Sequence, residues 1–322
     1  MLFHTDKHDK KQLSILIPTY NDACYNLVEE LHRQACEEDI DYEIIVADDG
    51  STDENTIQTN ARINNIPQCS YITRNENRGR AAIRNFLAKT ARYDRLLFMD
   101  CDMALPDNLF ISRYINEIND EADVIDGHTC IHTDDETWGR NLRYIPERAA
   151  ATMHSVEMRQ KTPYQSFATA NFMIRRETML AHPFDERFRF YGYEDVLLGK
   201  ELYLCGAQIK HIDNPVLFKD YEPNGSFVAK TEEAMHTLHR FKIELQGYSR
   251  LLTLEQTAEH SSRNKTMAHV IRQSRAAHSH RQQPQHDDIQ PLQIRLLYVN
   301  KRIKSHKDKV TPTNISNRCY TD

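Results

Sequence analysis

The sequence predicts an α/β protein with a mainly parallel central sheet that is flanked by helices. Four short apolar runs occur within about the first hundred residues, segments with helical periodicity separate them, and polar or acidic residues follow each run. Strands and helices that alternate in this way are typical of βαβ units, which build parallel sheets. The chain has 322 residues, of which 39% are hydrophobic and 27% charged, so it can bury a large core.

The first predicted strand covers residues 13–20, LSILIPTY, an apolar run that a proline closes. Asn21 or Asp22 is expected to cap the following helix, because both side chains accept hydrogen bonds from free backbone N–H groups. In this helix the apolar residues recur at four-residue spacing and form one stripe. The second strand runs through 41–53 into a turn rich in aspartate, glycine and serine, and a helix follows over about 54–64.

A third, shorter strand is predicted from Cys69, a helix over 79–91 and a fourth strand over 95–100, RLLFMD. Ligands of such sheets bind beyond the carboxyl ends of the strands, where the strand order reverses. We therefore expect the functional site at the residues that follow these strands. The second half is less regular. We expect a strand over 123–131, a helix over 139–160 and a strand entering a turn or short helix over 170–180. A helix over 194–205 and a strand over 207–218 follow.

Beyond about residue 250 the composition becomes polar, and 246–322 is expected to be a polar, partly flexible helical extension. One segment of it, 292–309, combines apolar residues at helical spacing with a basic remainder. It is expected either to contact an anionic membrane surface or to pack on the domain. The histidines of the extension are expected to be solvated, because no cysteine or carboxylate lies at ligand spacing.

Overall charge and cysteine content restrict the class of protein. The net charge of −6 argues against nucleic acid as a partner, which requires a positive field. Seven cysteines, an odd number without a C-x-x-C pair, favour reduced thiols in the cytoplasm. The first residues lack the apolar core of a secretion signal, and no apolar stretch is long enough to cross a bilayer. We therefore expect a soluble, cytoplasmic protein.

Two aspartates, Asp100 and Asp102, end the fourth predicted strand and flank one cysteine. An ionised carboxylate is costly to bury unless something pairs with it. Mg²⁺ and Mn²⁺ bind through one or two carboxylates, with substrate phosphates as further ligands. The two aspartates therefore suit a metal–diphosphate complex at the ligand-binding edge of the sheet. The alternative is a solvated turn, because short acidic patterns are common.

Glu194 and Asp195 lie at the predicted start of a helix, directly after Phe190, Tyr191 and Tyr193. The helix dipole favours carboxylates at this position, so ordinary capping is the alternative interpretation. A carboxylate among aromatic rings is partly desolvated and becomes a better base. Flat aromatic faces also suit a sugar ring. We therefore favour a general base beside a sugar-binding surface.

Arg78, Arg80 and Arg84 surround the predicted start of the helix over 79–91. Guanidinium groups and the backbone N–H groups of a helix start together form a natural phosphate site. A solvated basic face is the alternative, and it stays open for Arg78.

Five segments resemble family 2 glycosyltransferases with the GT-A type nucleotide-sugar-binding fold, in the same order and at the same spacing. They are SILIPTYND, IIVADDGSTDENT, NENRGRAAIRN, LLFMDCD and GYEDVLLGKEL. The sequence looks most like bacterial enzymes that build surface polysaccharides, and its Tyr-Glu-Asp segment is similar to that of chondroitin-polymerase-type transferases. The resemblance implies a catalytic domain over 11–245, with a nucleotide-binding half over 11–105 and an acceptor half over 106–245.

The resemblance also implies roles for individual residues on the donor side. Asp49 would hydrogen-bond the nucleotide base, Asp100 would reach the ribose or the metal, and Asp102 would ligate the metal that bridges the diphosphate. Arg80 and Arg84 would be phosphate or structural partners of that loop. The base would be lined by Pro18, Thr19 and Tyr20.

On the acceptor side, Asp195 matches the general base of the family, and Glu194 would position the acceptor or the base. The implied reaction is metal-dependent and inverting, with Mn²⁺ or Mg²⁺ as cofactor. It moves a sugar from a nucleotide-sugar, UDP-linked by family base rate, to a hydroxyl of a glycan or lipid-linked acceptor. For a lipid-linked acceptor, peripheral contact with the inner face of the membrane through 292–309 is expected.

One departure from the family pattern follows the predicted strand that ends near residue 218. Many relatives carry a histidine there, whereas this sequence has Phe218 and Lys219, and His211 is expected to be a strand residue. Either Lys219 contacts the diphosphate or the metal is held by fewer protein ligands. Two other functions stay open at this stage: a non-catalytic binding relative on the same fold, and a haloacid-dehalogenase-like phosphatase, which also has Asp-x-Asp after a strand.

Overall fold

A computed structural model describes residues 10–119, 121–131 and 134–246 of the chain. The predicted extension, with 292–309 and its histidines, lies outside these residues apart from its first position. The described strands are β1 (Lys11–Thr19), β2 (Ile40–Asp48), β3 (Cys69–Thr73), β4 (Arg95–Met99), β5 (Met103–Ala104), β6 (Val124–Asp126), β7 (Thr129–Cys130), β8 (Asn171–Arg175), β9 (Ile209–His211) and β10 (Val216–Phe218).

Helices separate these strands along the chain. They are α1 (Tyr25–Glu37), α2 (Glu54–Ala61), α3 (Arg80–Thr90), α4 (Phe110–Glu117), α5 (Asp135–Trp138), α6 (Tyr144–Ala150), α7 (Val156–Gln160), α8 (Arg176–Ala181), α9 (Glu194–Leu204) and α10 (Asn224–Arg240). Short 3-10 helices follow α2 and α6, at Arg62–Asn65 and Ala151–His154. Within the described ranges, none of the helices is both long and apolar enough to cross a bilayer.

The central sheet has seven strands in the order β3-β2-β1-β4-β8-β6-β9. The pairs β1–β2, β2–β3 and β1–β4 are parallel, and β8 is antiparallel to both of its neighbours. The predicted α/β architecture with a mainly parallel sheet is therefore confirmed. The strand order reverses between β1 and β4, so the ends of these two strands define the predicted ligand-binding edge.

Alternating side chains of β1 supply both faces of the sheet with apolar groups. Ile15 and Ile17 belong to the core on the side of α1 and α4, whereas Leu16 belongs to the core on the side of α3. All three are fully buried. Burial of each such side chain stabilises the fold by about 1.5–3 kcal/mol, so β1 is held firmly and its carboxyl end is a fixed platform.

Two predicted strands of the second half are each divided in the structure. The segment 123–131 forms β6 in the large sheet and β7 in a small one, with the chain turning at Gly127 and His128, whose φ is 63°. The segment 207–218 forms β9 and β10 in the same two sheets. The intervening Asn214 donates to the carbonyl of Phe110 at 3.0 Å, and the proline after it has no N–H for a ladder. The small sheet, β5-β10-β7, lies directly after the Asp-x-Asp segment.

Two other local predictions are wrong. The single helix over 139–160 is instead α6, a 3-10 turn and α7, because Ser155 has extended backbone and its hydroxyl caps α7 by accepting from the N–H of Met158. The residue that precedes α1 is Cys24 rather than Asn21 or Asp22. Asn21 instead accepts hydrogen bonds from two N–H groups of the loop before α2, at 2.8 and 3.0 Å.

Candidate functional site

The end of β1 places one buried and one exposed side chain at the edge of the sheet. Thr19 is buried, and its hydroxyl donates to the carbonyl oxygen of Asp22 at 2.8 Å. Tyr20 is 47% exposed. Pro18 precedes them in β1, paired with Ala47 of β2. The edge therefore presents an open aromatic ring on a rigid base, as stacking of a nucleotide base requires.

Asp49, directly after β2, joins the strand to the loop before α3. Its carboxylate accepts from the N–H groups of Arg78 and Gly79 at 3.0 and 2.7 Å and from the Arg74 guanidinium at 3.1 Å. Burial raises the pKa of Asp49, whereas these donors lower it. The predicted base-binding residue thus also fixes the loop that leads into α3.

Asp100 pairs with Arg84 of α3. One terminal nitrogen of the Arg84 guanidinium lies 2.6 Å from Oδ1 of Asp100, and the other lies 3.8 Å from Oε1 of Glu194. Only 2% of the Arg84 side chain is exposed. The sequence left open whether Arg84 binds phosphate or supports the loop, and its burial and contacts give it a structural position. Through Arg84, the end of β4 lies beside the start of α9.

Asp102 differs from Asp100 in having no ion pair. It is half-buried, and its carboxylate makes no side-chain hydrogen bond or salt bridge with any described residue. Burial and the negative charge of Asp100 raise the pKa of Asp102, and Arg80 and Arg143 lower it. The carboxylate is therefore available for a cation.

The donor set at this edge fits a divalent cation that a substrate also binds. Across the described ranges, no three His, Cys, Asp or Glu side chains are grouped so that they could hold a metal ion alone. Mg²⁺ and Mn²⁺ commonly take one or two carboxylates and complete their coordination with phosphate oxygens and water. Asp102, with Asp100 beside it, is a suitable oxygen donor set for that type of site.

The predicted base, Asp195, lies in the first turn of α9. Tyr193, the residue before this helix, has a left-handed backbone with φ 69°, and Gly192 has φ 96°. Glu194 is 5% exposed, whereas Asp195 is half-buried and accepts from the N–H of Val196 at 2.8 Å. Burial, together with the charge of Glu194, raises the pKa of Asp195 to about 6. A carboxylate with this pKa is a competent base near neutral pH.

Aromatic and cationic side chains surround the entrance to this base. The guanidinium of Arg80 lies 4.8 Å and the ammonium of Lys230 5.6 Å from the ring centroid of Tyr191. Phe190 is 57% exposed. Thr237 of α10 donates to the carbonyl of Tyr191 at 3.1 Å, so α10 holds the aromatic segment in place. An exposed ring beside a base suits the apolar face of a sugar.

Two charged residues of this region, Arg143 and Asp22, were missed by the sequence analysis as site residues, whereas Lys219 was already named there as a candidate diphosphate contact. Arg143 stacks on Phe218, with its guanidinium carbon 4.1 Å from the ring centroid, and its charge acts on Asp102. Lys219 and Asp22 affect each other, since Lys219 lowers the pKa of Asp22, which burial raises. The family motifs drew attention only to the position after β10, where relatives carry a histidine. Nothing in the sequence linked Arg143 or Asp22 to Asp100 and Asp102.

The departure at Phe218 and Lys219 has a structural explanation. Phe218 is 6% exposed and belongs to the core, so it does not face a ligand. His211 lies in β9, as predicted, where its Nδ1 accepts from Arg159 at 2.8 Å and lies 3.2 Å from Asp126. Both side chains are buried in the fold, whereas Lys219, the first residue after β10, is exposed.

Comparison with known proteins defines the class. The profile of glycosyl transferase family 2 matches residues 14–182, more than half of the chain, so the chain belongs to this family. Membership excludes the haloacid-dehalogenase-like alternative. One solved structure that is similar is the mannosyltransferase PcManGT from Pyrobaculum calidifontis in complex with GDP-Man and Mn²⁺. Its TM-score is 0.52 at 15% identity, and the alignment covers 94% of this chain and 88% of the mannosyltransferase chain. At this identity the likeness shows the fold alone, which is of the GT-A type.

Two relatives confirm the resemblance to chondroitin-polymerase-type transferases. The chondroitin synthase of Escherichia coli is 26% identical over 255 residues, 68% of this chain and 37% of that protein. The hyaluronan synthase of Pasteurella multocida is 27% identical over 249 residues, 67% of this chain and 25% of that protein. The chain therefore spans about a quarter to two fifths of the length of these relatives.

Proposed function

We propose that the chain is a metal-dependent, inverting glycosyltransferase that moves a sugar from a nucleotide-sugar to a hydroxyl of a glycan or lipid-linked acceptor. The observation that carries the proposal is the presence of two unlike carboxylates, Asp102 after β4 and Asp195 at the start of α9, on segments that Arg84 joins. Among the residues that the structure describes, the Asp102 carboxylate has no hydrogen bond or salt bridge, and the pKa of Asp195 is raised to about 6. The first suits a cation and the second suits proton removal from a hydroxyl.

The residues divide the reaction between them. The Tyr20 ring would stack on the nucleotide base. Asp49 would orient the base by accepting a hydrogen bond from it, in addition to the bonds it already accepts from the protein. A divalent cation, Mn²⁺ or Mg²⁺, would offset charge on the departing nucleoside diphosphate, with Asp102 as its protein ligand. Asp195 would remove the proton of an acceptor hydroxyl that attacks the anomeric carbon opposite the leaving group. No protein nucleophile is needed, and the anomeric centre inverts.

Arg80 and Lys219 would add positive charge around the diphosphate. Arg80 is exposed, and its charge acts on Asp102. Lys219 is exposed and follows β10 beside Asp102. Both can reach toward an anionic leaving group, because long cationic side chains keep a mobile charged head.

The names of the relatives support a polysaccharide as the product class, since two of them are a chondroitin synthase and a hyaluronan synthase. The solved relative that binds GDP-Man and Mn²⁺ supports a nucleotide-sugar donor and a divalent cation. We propose a UDP-linked donor, which is the commonest choice in the family, with GDP- and dTDP-sugars as the competitors to test.

The deciding experiment measures binding and turnover of UDP-, GDP- and dTDP-sugars with Mn²⁺, Mg²⁺ or chelator. Wild type is compared with Asp102→Ala and Asp195→Asn. We expect metal-dependent binding of one donor class, lost in Asp102→Ala, and normal binding without transfer in Asp195→Asn. Absence of nucleotide-sugar binding under every metal would overturn the proposal in favour of a non-catalytic relative on the same fold.

A further inference from the structure

The two acidic pairs of the site share one organisation. In each pair, one carboxylate contacts the guanidinium of Arg84 and the other has no ion pair within the part of the chain that the structure describes. Asp100 lies 2.6 Å and Glu194 3.8 Å from terminal nitrogens of Arg84. Asp102 and Asp195, the second member of each pair, are half-buried.

We propose that Arg84 is a positioning residue that joins the donor and acceptor halves of the site by binding one carboxylate of each acidic pair. It thereby assigns the other two carboxylates to chemistry: Asp102 is the protein ligand of the cation, and Asp195 is the base. Asp100 then acts mainly through Arg84 and has a secondary part in metal binding. This inference rests on the proposed transferase function and refines the roles within its site.

The position of Arg84 in α3 explains why an arginine is needed. The residue is fully enclosed, and its guanidinium carbon lies 5.6 Å from the ring centroid of Phe184. A planar guanidinium presents nitrogens in two directions and can therefore contact two carboxylates at once, whereas a lysine ammonium is a single point charge on a flexible stem. The Nε of Arg84 is buried without a described partner. Within α3 the guanidinium makes one long hydrogen bond, from a terminal nitrogen to the carbonyl oxygen of Arg80 at 3.5 Å. The contact with Asp100 at 2.6 Å is much shorter, so the acidic side chains are the principal partners of the buried charge.

The same contact couples the two halves electrostatically. Arg84 is the only cation among the main influences on Asp195, and it lowers the pKa that burial and Glu194 raise. Loss of the Arg84 charge would leave the buried Glu194 and the partly exposed Asp100 without their salt-bridge partner, which is unfavourable, most strongly for Glu194. We therefore expect substitution of Arg84 to alter the metal side and the base side together, in different directions.

The test uses Arg84→Lys and Arg84→Gln with four readouts: thermal stability, Mn²⁺ affinity in the presence of UDP, kcat against donor KM, and the pH dependence of transfer. We expect kcat to fall at least about tenfold with a smaller change in donor KM, because the base is misplaced while the nucleotide contacts remain. Release of Asp100 in Arg84→Gln adds a free carboxylate, so Mn²⁺ should bind more tightly than in wild type. The midpoint of the pH profile should move to higher pH.

Arg159→Lys is the matched control, because Arg159 is also a buried arginine beside an acidic residue but lies outside the site. It should lose stability and leave the pH midpoint and Mn²⁺ affinity unchanged. Asp100→Asn and Asp102→Asn are compared in addition. The loss of Mn²⁺ affinity in Asp102→Asn should exceed the loss in Asp100→Asn by at least about tenfold. Equal losses in these two variants, or an unchanged pH midpoint in Arg84→Gln, would overturn the inference. Failure of wild type to bind any nucleotide-sugar would instead overturn the proposed function.

Discussion

The backbone N–H of Lys219 donates a hydrogen bond to the carbonyl oxygen of Asp102 at 2.9 Å. The contact extends the antiparallel pairing of β10 with β5, in which Phe218 lies opposite Met103. The small sheet thus fixes the segment that carries Asp102, and it brings the Lys219 side chain to the same edge. Lys219 therefore has two roles: its backbone N–H stabilises the small sheet, and its side chain supplies a positive charge at the edge.

These two roles can be separated by Lys219→Ala, which retains the backbone N–H and removes the cation. We expect an unchanged melting temperature and an affinity for UDP with Mn²⁺ that is weaker by about tenfold, as for loss of one charge-assisted contact. Isothermal titration calorimetry measures the affinity. Lys89→Ala, at the exposed end of α3, is the matched control and should change neither quantity. If Lys219→Ala retained the wild-type affinity, the Lys219 side chain would not contact the diphosphate. The alternative, a metal held by fewer protein ligands, would then explain the missing family histidine.

The raised pKa of Asp195 predicts the pH dependence of transfer. Because a base must be deprotonated, kcat/KM for the acceptor should rise with pH through a midpoint of about 6 and then level off. The charge of Glu194 contributes to the raised pKa, so Glu194→Gln should move the midpoint to lower pH. Glu201→Gln, on the same helix, is the control and should leave the midpoint in place. A midpoint that rises in Glu194→Gln would contradict this assignment of the base.

Local sequence pattern was sufficient for the part of the fold that supports the nucleotide-binding edge. The strands β1, β2 and β4 each contain an apolar run, which a local pattern detects, and acidic residues follow β2 and β4 at the expected edge of the sheet. Prediction of the Asn21 cap failed because a neighbouring loop offered its N–H groups to the same side chain. Competition between distant partners is not visible in a local pattern.

The second half shows the same limit at larger scale. The turn at Gly127 depends on close approach, since a Cβ there would lie about 2.5–2.6 Å from the Tyr114 hydroxyl and the Asn171 and Asn214 groups. Nothing in 123–131 itself indicates those neighbours. The two contacts of Arg84 likewise join residues far apart in sequence, so the motif could suggest a phosphate partner or a structural one but could not choose.

A further prediction concerns Gly79, which has φ 93° and precedes α3. A Cβ at this position would lie 2.9 Å from the carbonyl oxygen of Arg189, so the loop packs tightly against the segment before the base. We expect Gly79→Ala to lower the free energy of unfolding by about 1–3 kcal/mol, because a strained backbone and a close contact add. Chemical denaturation measures the change.

Gly225→Ala is the matched control for Gly79→Ala. Gly225 lies in the first turn of α10, with nothing within 4 Å of the added Cβ. Because alanine is the better helix former, this variant should be neutral or more stable by up to about 1 kcal/mol. Equal effects of the two substitutions would show that backbone conformation and contact with Arg189 do not matter.

The last prediction concerns the stability of the fold at acid pH and rests on His128. Its Nε2 lies 2.8 Å from Nδ1 of His154, and its own Nδ1 is buried without a described partner. Burial lowers the pKa of His128 to about 4, against an ordinary value of 6.5. Below pH 6.5 the unfolded chain therefore binds a proton at this residue that the folded chain does not bind. The free energy of unfolding should fall as the pH decreases from about 6.5 to about 4.

His128→Asn tests this expectation, because asparagine tolerates the left-handed backbone and does not titrate. The difference in unfolding free energy between wild type and variant should change by about 3 kcal/mol between pH 7 and pH 4, favouring the variant at the lower pH. Urea denaturation across this range measures it, with His236→Asn, at an exposed site of α10, as the control. Parallel pH profiles for wild type and His128→Asn would mean that the pKa of His128 is the same in the folded and unfolded chain, which would contradict this prediction.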